Sequence, residues 1–274
     1  MHISSDYLLF LLQMDQKKFK KLVWSFYKKE GRDLPWRNTT NPYRIWVSEI
    51  MLQQTQVARV LPKYKEFLKK FKTIKELSSA PLSEVLSCWQ GLGYNRRAKL
   101  LHLGAKYIVK EHKGVFPKEN LESIPGIGPY TACAIQAFAF NIPNPCIETN
   151  IRTVYTHHFF KDRPGVSDKE IFPIIEQTLD KKNPREWYWA LMDYGAYLKA
   201  SGVRINKKSK HYNKQSVFKG SDREVRGAII RALTQKKSIG TVFPDRKEQV
   251  EKQIKNLLKE GFIQKKGRGY VLSS

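Results

Sequence analysis

Long apolar runs are missing from this chain, and acidic residues are few beside the basic ones. No stretch approaches the ~20 consecutive apolar residues that a bilayer-crossing helix requires, so no membrane partner is expected. Cysteine is scarce: Cys88, Cys133 and Cys146 are the three in 274 residues, and none follows Cys146. Three thiols scattered among apolar neighbours are too few for a disulfide framework or a zinc site. Each reads as a small buried hydrophobe. The apolar run Tyr7 to Leu12 has neither a basic leader nor a small-residue cleavage site, so it reads as helix rather than signal peptide. His157-His158 has no Glu or further His at ligand spacing, which predicts packing or surface histidines and no metal site.

What is present points to a folded polyanion binder. The chain is 41% hydrophobic and 12% aromatic, enough for a core, and carries 50 Lys and Arg against 25 Asp and Glu, a net charge of +25. A folded protein this basic is expected to meet nucleic acid. The expected setting is cytoplasmic and nucleoid-associated.

From Lys17 to about Lys199 the apolar residues recur at helical spacing. Val23, Phe26 and Tyr27 mark one face; Ile50, Leu52, Val57, Val60 and Leu61 another; Leu100, Leu103, Tyr107 and Ile108 a third. Pro42, Pro62, Pro81, Gly91, Gly93, Gly114, Pro117, Pro125 and Pro173 punctuate them. Strand alternation is nearly absent, so residues 1–202 read as an all-α domain of short helices. Residues 203–220 hold six Lys or Arg and no acid, and read as a basic linker or DNA-contacting arm in which Lys207, Lys208 and Lys210 meet phosphates. Residues 221–274 open on a capping box, Ser221-Asp222-Arg223-Glu224. Two helices and a short hairpin around Lys266-Gly267-Arg268-Gly269 follow, a winged-helix-like α+β module.

Ile124-Pro125-Gly126-Ile127-Gly128 lies between two apolar helical stretches. Two glycines permit a tight turn with outward-facing amides. Those amides and the N-terminus of the next helix can cradle a phosphate, fixing register without reading sequence.

At this hairpin the chain resembles the helix-hairpin-helix DNA glycosylases, most of all the adenine glycosylase (MutY-type) family, which removes adenine opposite oxidised guanine. The matching pieces run in family order: Arg32-Asp33-Leu34-Pro35-Trp36-Arg37, Pro42-Tyr43, Trp46 through Val57, Trp89-Gln90-Gly91-Leu92-Gly93-Tyr94, the hairpin with Pro129-Tyr130-Thr131, and Leu191-Met192-Asp193-Tyr194-Gly195-Ala196. The resemblance implies a helix-hairpin-helix core acting on double-stranded DNA that carries a mismatched or damaged base.

N-glycosidic cleavage needs an electron-poor leaving base and a negative partner for the oxocarbenium-like sugar. Two carboxyl groups in different environments supply both. Glu49, set between Val47 and Ile50, matches the family's acid. Glu148 and Asn150 stand at the family's Asp-x-Asn motif, with a Glu in place of the Asp. One added methylene shifts the carboxylate by roughly 1.5 Å, and misplacement on that scale can cost about 10²-fold. Arg32, Leu34, Trp36, Arg37, Leu52 and Asp193 match positions around the flipped base. Gln54 matches the residue that fills the gap in the duplex, and Tyr94 the aromatic wedge beside the opposite base. Tyr130 occupies the position of the catalytic Lys of bifunctional relatives. A Tyr forms no Schiff base, so a monofunctional enzyme is implied.

Two family features are missing. Four cysteines that hold an iron–sulfur cluster would follow the core; this chain has none there, so no cofactor is expected. The oxoguanine-sensing C-terminal domain is unrecognisable in residues 221–274. Two alternatives stand: a thymine or uracil glycosylase acting opposite guanine, for which Tyr94-Asn95 and the missing sensor domain leave room, and a non-catalytic lesion-binding protein, motivated by Glu148 and the winged-helix-like tail.

Overall fold

The computed structural model describes residues 5–161, 163–203, 217–267 and 269–273, with side chains from Gln16 onward. Lys207, Lys208 and Lys210 lie outside the described residues. The described chain is helical almost throughout: α1 (Ser5–Glu30), α2 (Pro42–Leu52), α3 (Val57–Lys70), α4 (Ile74–Ser79), α5 (Leu82–Cys88), α6 (Arg96–His112), α7 (Pro129–Phe140), α8 (Thr149–Phe159), α9 (Asp168–Thr178), α10 (Pro184–Ala200), α11 (Asp222–Thr234) and α12 (Lys247–Lys259). A hairpin of β1 (Ile263–Lys266) and β2 (Gly269–Leu272) ends it, antiparallel with Ile263 opposite Leu272. This is the all-α core with a two-helix-and-hairpin module that the periodicity predicts.

Local signals explain most helix ends. Proline at the first position opens α2, α7 and α10, where its missing N–H costs nothing. Thr73 caps α4 by accepting from the Glu76 amide at 3.1 Å, and Ser167 with Glu170 forms a capping box for α9. Lys113 and Gly114 both adopt positive φ after α6, a left-handed stop. Pro62 and Pro173 depart from expectation: neither separates helices, and each lies inside one, α3 and α9. The fully buried Val60 and Phe67 hold α3 across its proline, and Ile171 and Ile175 hold α9. At α11 the expected capping box is shifted. Ser221 accepts from the Glu224 amide, but the Glu224 carboxylate accepts from the amide of Gly220, one residue further back, at 2.8 Å.

The described residues divide into two compact units, Met1–Ile45 with Pro129–Lys214 and Trp46–Gly128 with Gln215–Ser274. In the first, α10 packs against α1, α7 and α8. Trp187, Leu191 and Ala190 of α10 are fully buried there, as is Tyr155 of α8, whose hydroxyl lies 2.6 Å from that of Thr178. Helix α7 is buried on most sides, from Thr131 to Ala139 with Gln136 excepted, as its largely apolar sequence demands. In the second unit, α6 packs against α4 and α5, while α11 packs against α5, α12 and β2. Residues 221–274 therefore share a core with α3–α6. Among the described residues no helix is long and apolar enough to cross a membrane.

Cysteine pairing corrects the sequence reading. Cys133 of α7 and Cys146 are joined in a disulfide, because the loop after α7 doubles back and brings their Cα atoms to 5.9 Å. Cys88 remains a free, buried thiol, pushed up in pKa by burial. The histidines behave as expected of packing residues: His158 Nε2 lies 3.0 Å from the Tyr194 hydroxyl, and burial, helped by the neighbouring His157, lowers its pKa to about 4.

Candidate active site

In the first unit, one buried carboxylate organises the stretch after α1. Asp193 of α10 is 1% exposed at its side chain. It accepts from Arg37 Nη1 and Nη2, both at 2.7 Å, from Arg32 Nε at 2.7 Å and from the Arg32 amide at 2.8 Å. Burial pushes the Asp193 carboxyl up, but the hydrogen bonds and charges of Arg37 and Arg32 outweigh it, and the net shift is downward. Arg37 also lies over the Trp189 ring, 5.4 Å from its centroid. Leu34 and Trp36 sit between the two arginines in sequence and are buried. The structure thus gathers Arg32, Arg37 and Asp193. Asp193 acts through the arginines it holds, since both of its oxygens are engaged.

A second cluster forms where α8 begins. Glu148 is the N-cap: its Oε1 accepts from the Asn150 and Ile151 amides at 2.6 and 2.9 Å. Its Oε2 accepts from Asn150 Nδ2 at 3.3 Å. The extra methylene of Glu lets the side chain fold back onto the first turn, where unpaired amides favour an anion. Lys199 of α10 donates to Asn150 Oδ1 at 2.6 Å, completing a chain from carboxylate to amide to ammonium. Burial lowers the Lys199 ammonium, and the Glu148 charge opposes that shift. Gly195 is required here, since any Cβ would collide with the Asn150 carbonyl. The approach to Glu148 is fixed twice: by the Cys133–Cys146 bond, and by the Tyr188 hydroxyl, which donates to Asn144 O at 2.7 Å and accepts from the Cys146 amide at 3.0 Å. Tyr130, at the first turn of α7, is half-buried.

In the second unit, Glu49 of α2 is 7% exposed, an uncommon burial for a carboxyl group. Leu52, at the end of the same helix, is half-buried. Beyond it Gln54 is exposed with φ +54°, and Tyr94 is 36% exposed with φ +47°. Left-handed backbone at two non-glycine residues is strain that needs support. Arg97 supplies it. This guanidinium, 9% exposed, donates from Nη1 to the carbonyls of Ile50, Met51 and Gln53 at 2.7, 2.9 and 2.6 Å. From Nη2 it donates to Thr55 Oγ1 and the carbonyls of Leu92 and Gly93 at 3.1, 3.1 and 3.2 Å. One side chain therefore staples the turn carrying Gln54 to the turn carrying Tyr94. Sequence reasoning missed it, though a signal existed: Arg97 lies on the face of α6 that carries Leu101, Ala105 and Ile108.

The hairpin closes tightly in the same unit. Ile124 and Ile127 are buried, and the Ile127 amide bonds Ile124 O at 3.0 Å. Gly126 has φ +85°, and a Cβ there would meet the Leu100 Cβ at 2.8 Å. Gly104 of α6 admits the turn from the other side; its Cβ would meet Pro125 O at 2.7 Å and the Trp46 ring at 2.8 Å. Gly128 is exposed and directly precedes α7 in the chain.

Comparison with known proteins identifies the family. Residues 47–179 match the HhH-GPD superfamily of base excision DNA repair proteins. An adenine DNA glycosylase of Mycolicibacterium smegmatis is 30% identical over 274 residues, covering 89% of this chain and 92% of its own. The chain belongs to the HhH-GPD superfamily. Another adenine DNA glycosylase, from Buchnera aphidicola of Acyrthosiphon pisum, is 38% identical over 186 residues, which is 65% of this chain. This chain spans about half the length of that relative, 53%. A thermostable thymine-DNA glycosylase has the same fold, with a TM-score of 0.62 at 24% identity over 73% of this chain and 97% of that one.

The cysteines of these 274 residues do not make up an iron–sulfur site. Four thiolates would be needed; of three cysteines, two are joined to each other and none follows Cys146. Among the described residues no group of three or more His, Cys, Asp or Glu could hold a metal ion.

Proposed function

We propose that this protein is a monofunctional DNA N-glycosylase of base excision repair, which flips adenine mispaired with oxoguanine or guanine out of duplex DNA and hydrolyses its bond to the sugar. The observation that carries the reading is the burial of Glu49 within the segment matched to the superfamily. A carboxyl group in that setting suits a general acid. Glu49 protonates a ring nitrogen of the departing adenine. The Glu148 carboxylate, oriented by Asn150, opposes positive charge on the sugar, and water adds to the anomeric carbon to leave an abasic site and free base. Tyr130 offers no amine, so the strand stays intact. By the family resemblance, Arg32, Leu34, Trp36, Arg37 and Asp193 of the first unit serve to receive the base, and Leu52 of the second unit has the same role. The hairpin amides, Gln54, Tyr94, Lys207, Lys208 and Lys210 grip double-stranded DNA. No cofactor takes part, and the protein works in the cytoplasm on nucleoid DNA.

Single-turnover assays on duplexes with A:oxoG, A:G, T:G and U:G pairs, each treated with alkali to reveal abasic sites, test this. Adenine release is expected, with Glu49→Gln abolishing release while binding survives, because an amide cannot deliver the proton. Release of thymine or uracil instead would move the substrate to those bases. No release from any duplex, or an undiminished rate in Glu49→Gln, refutes the mechanism.

A further inference from the structure

The module formed by α11, α12 and the hairpin reaches the predicted wedge residue. Arg223, in the first turn of α11, donates from Nη1 to the Tyr94 hydroxyl at 2.7 Å, and its guanidinium lies 5.7 Å from the Tyr94 ring centroid. Arg97 lies 5.5 Å from the same centroid. Tyr94 is thus an exposed aromatic held by two guanidinium groups, one beneath it in the core and one supplied from about 130 residues further along the chain. Both contacts are within the range at which a cation attracts an aromatic ring.

The acids beside Arg223 turn elsewhere. Asp222 accepts from Gln249 Nε2 at 2.8 Å and Lys252 Nζ at 3.0 Å. Glu224 accepts from Arg246 Nη1 at 2.9 Å and the Gly220 amide at 2.8 Å. The α11–α12 pairing thus aims Arg223 at Tyr94 and engages its acidic neighbours separately. The module is also locked to α6: Lys99 donates to the carbonyls of Glu260 and Gly261 and lies 5.0 Å from the Phe262 centroid. Arg226 meets both oxygens of Glu260 at 2.7 Å. Arg223 is consequently presented on a fixed platform.

We infer that Arg223 sets specificity for the base left opposite the flipped nucleotide, preferring guanine-type bases. The inference rests on the proposed function, in which Tyr94 enters the stack beside that base. A ring that enters the stack carries whatever is bonded to its hydroxyl up to the neighbouring base edges. A guanidinium presents donors in a fork, and guanine offers O6 and N7 side by side as acceptors, whereas cytosine offers a donor at the equivalent place. Arg223 therefore rewards guanine and disfavours cytosine.

Binding to duplexes with a non-cleavable tetrahydrofuran abasic analogue tests this without requiring catalysis. The wild-type protein is expected to bind the analogue opposite guanine at least about tenfold tighter than opposite cytosine, the scale of a bidentate guanine contact. R223A should bring the two affinities within about threefold by weakening only the guanine duplex, and R223K should keep part of the preference because an ammonium is a single point donor. Y94F, which removes only the hydroxyl, should also reduce it. A wild-type protein without preference, R223A weakening both duplexes equally as a phosphate contact would, or R223A leaving the preference intact overturns the inference. Base release from an A:G duplex is measured in parallel. Preference lost in R223A without any base release refutes the proposed function alone; base release with a preference untouched by R223A refutes the role of Arg223 alone.

Discussion

Replacing Arg97 with Ala removes a charged donor from five main-chain carbonyls and one hydroxyl at once. Hydrogen bonds involving a charged group contribute about 1.5–3 kcal/mol each, but these six share one guanidinium and do not add. The nearer guide is the cost of leaving buried acceptors unsatisfied, about 1–3 kcal/mol each; with several left together and partly rescued by water, a loss of about 3–5 kcal/mol is expected, at the upper end for a single substitution. For a chain of this size that lowers Tm by roughly 5–9 °C. Burial lowers the Arg97 pKa to about 10, so the group is charged throughout the neutral range where the melt is run. Arg97→Lys separates stability from function. Its ammonium keeps the charge but cannot span both turns, so about half the loss in stability is expected. Affinity for an abasic-analogue duplex should fall at least about tenfold, because Gln54 and Tyr94 lose the staple that organises them in advance. Thermal melting and fluorescence anisotropy give both numbers. An Arg97→Ala protein melting within about 1 kcal/mol of wild type, or Arg97→Lys binding as tightly as wild type, would show that the two turns hold themselves.

Asp193→Asn removes the charge that Arg32 and Arg37 share and should cost about 3–5 kcal/mol in denaturant unfolding. The Asp193 pKa is depressed in the folded state, so its contribution is complete above the ordinary value near 4 and drains away as pH falls through the folded value. The wild type should therefore lose stability below about pH 4 more steeply than Asp193→Asn, and parallel pH profiles would contradict the assignment. At α8, Glu148→Gln keeps an oxygen to accept from the Asn150 and Ile151 amides, so melting should shift by about 1 kcal/mol or less, while single-turnover base release falls at least ~10²-fold. Glu148→Asp keeps charge and cap but draws the carboxylate back, and a slower rate is expected; equal rates in Gln, Asp and wild type would make Glu148 a cap and nothing more.

The parts of this structure that were legible in the sequence are those set by neighbours along the chain. The helical spacing of Leu100, Leu103, Tyr107 and Ile108 predicts α6, although the face it buries is that of Leu101, Ala105 and Ile108; Pro42 marks a helix start, and the glycines at 126 and 128 mark the hairpin turn. Residues 221–274 show their two helices and hairpin for the same reason. What escaped was decided by residues distant in sequence. Cys133 and Cys146 look alike whether bonded or apart until the loop between them is known to double back. That Asp193 holds Arg32 and Arg37, some 160 positions earlier, is not visible until their guanidinium groups are found on its oxygens. Glu148 is legible as a carboxylate near the family motif but not as an N-cap, because Ser, Thr, Asp and Asn carry that signal. Pro62 and Pro173 misled because a proline's cost can be outweighed by burial of the helix around it.

The interleaving of the two units bears on how the chain is made. Translation delivers α1 first, yet α10, against which it packs, emerges some 150 residues later, roughly 8–30 seconds at ordinary ribosome speeds. Helix α5 waits almost as long for α11. Neither unit can close on the ribosome from consecutive sequence, so early helices spend that interval with apolar faces uncovered and are natural clients for chaperones that bind nascent chains. Premature termination anywhere before α11 would release a chain with an unfinished core, a liability that a repair protein built from two consecutive domains would carry for only one of them.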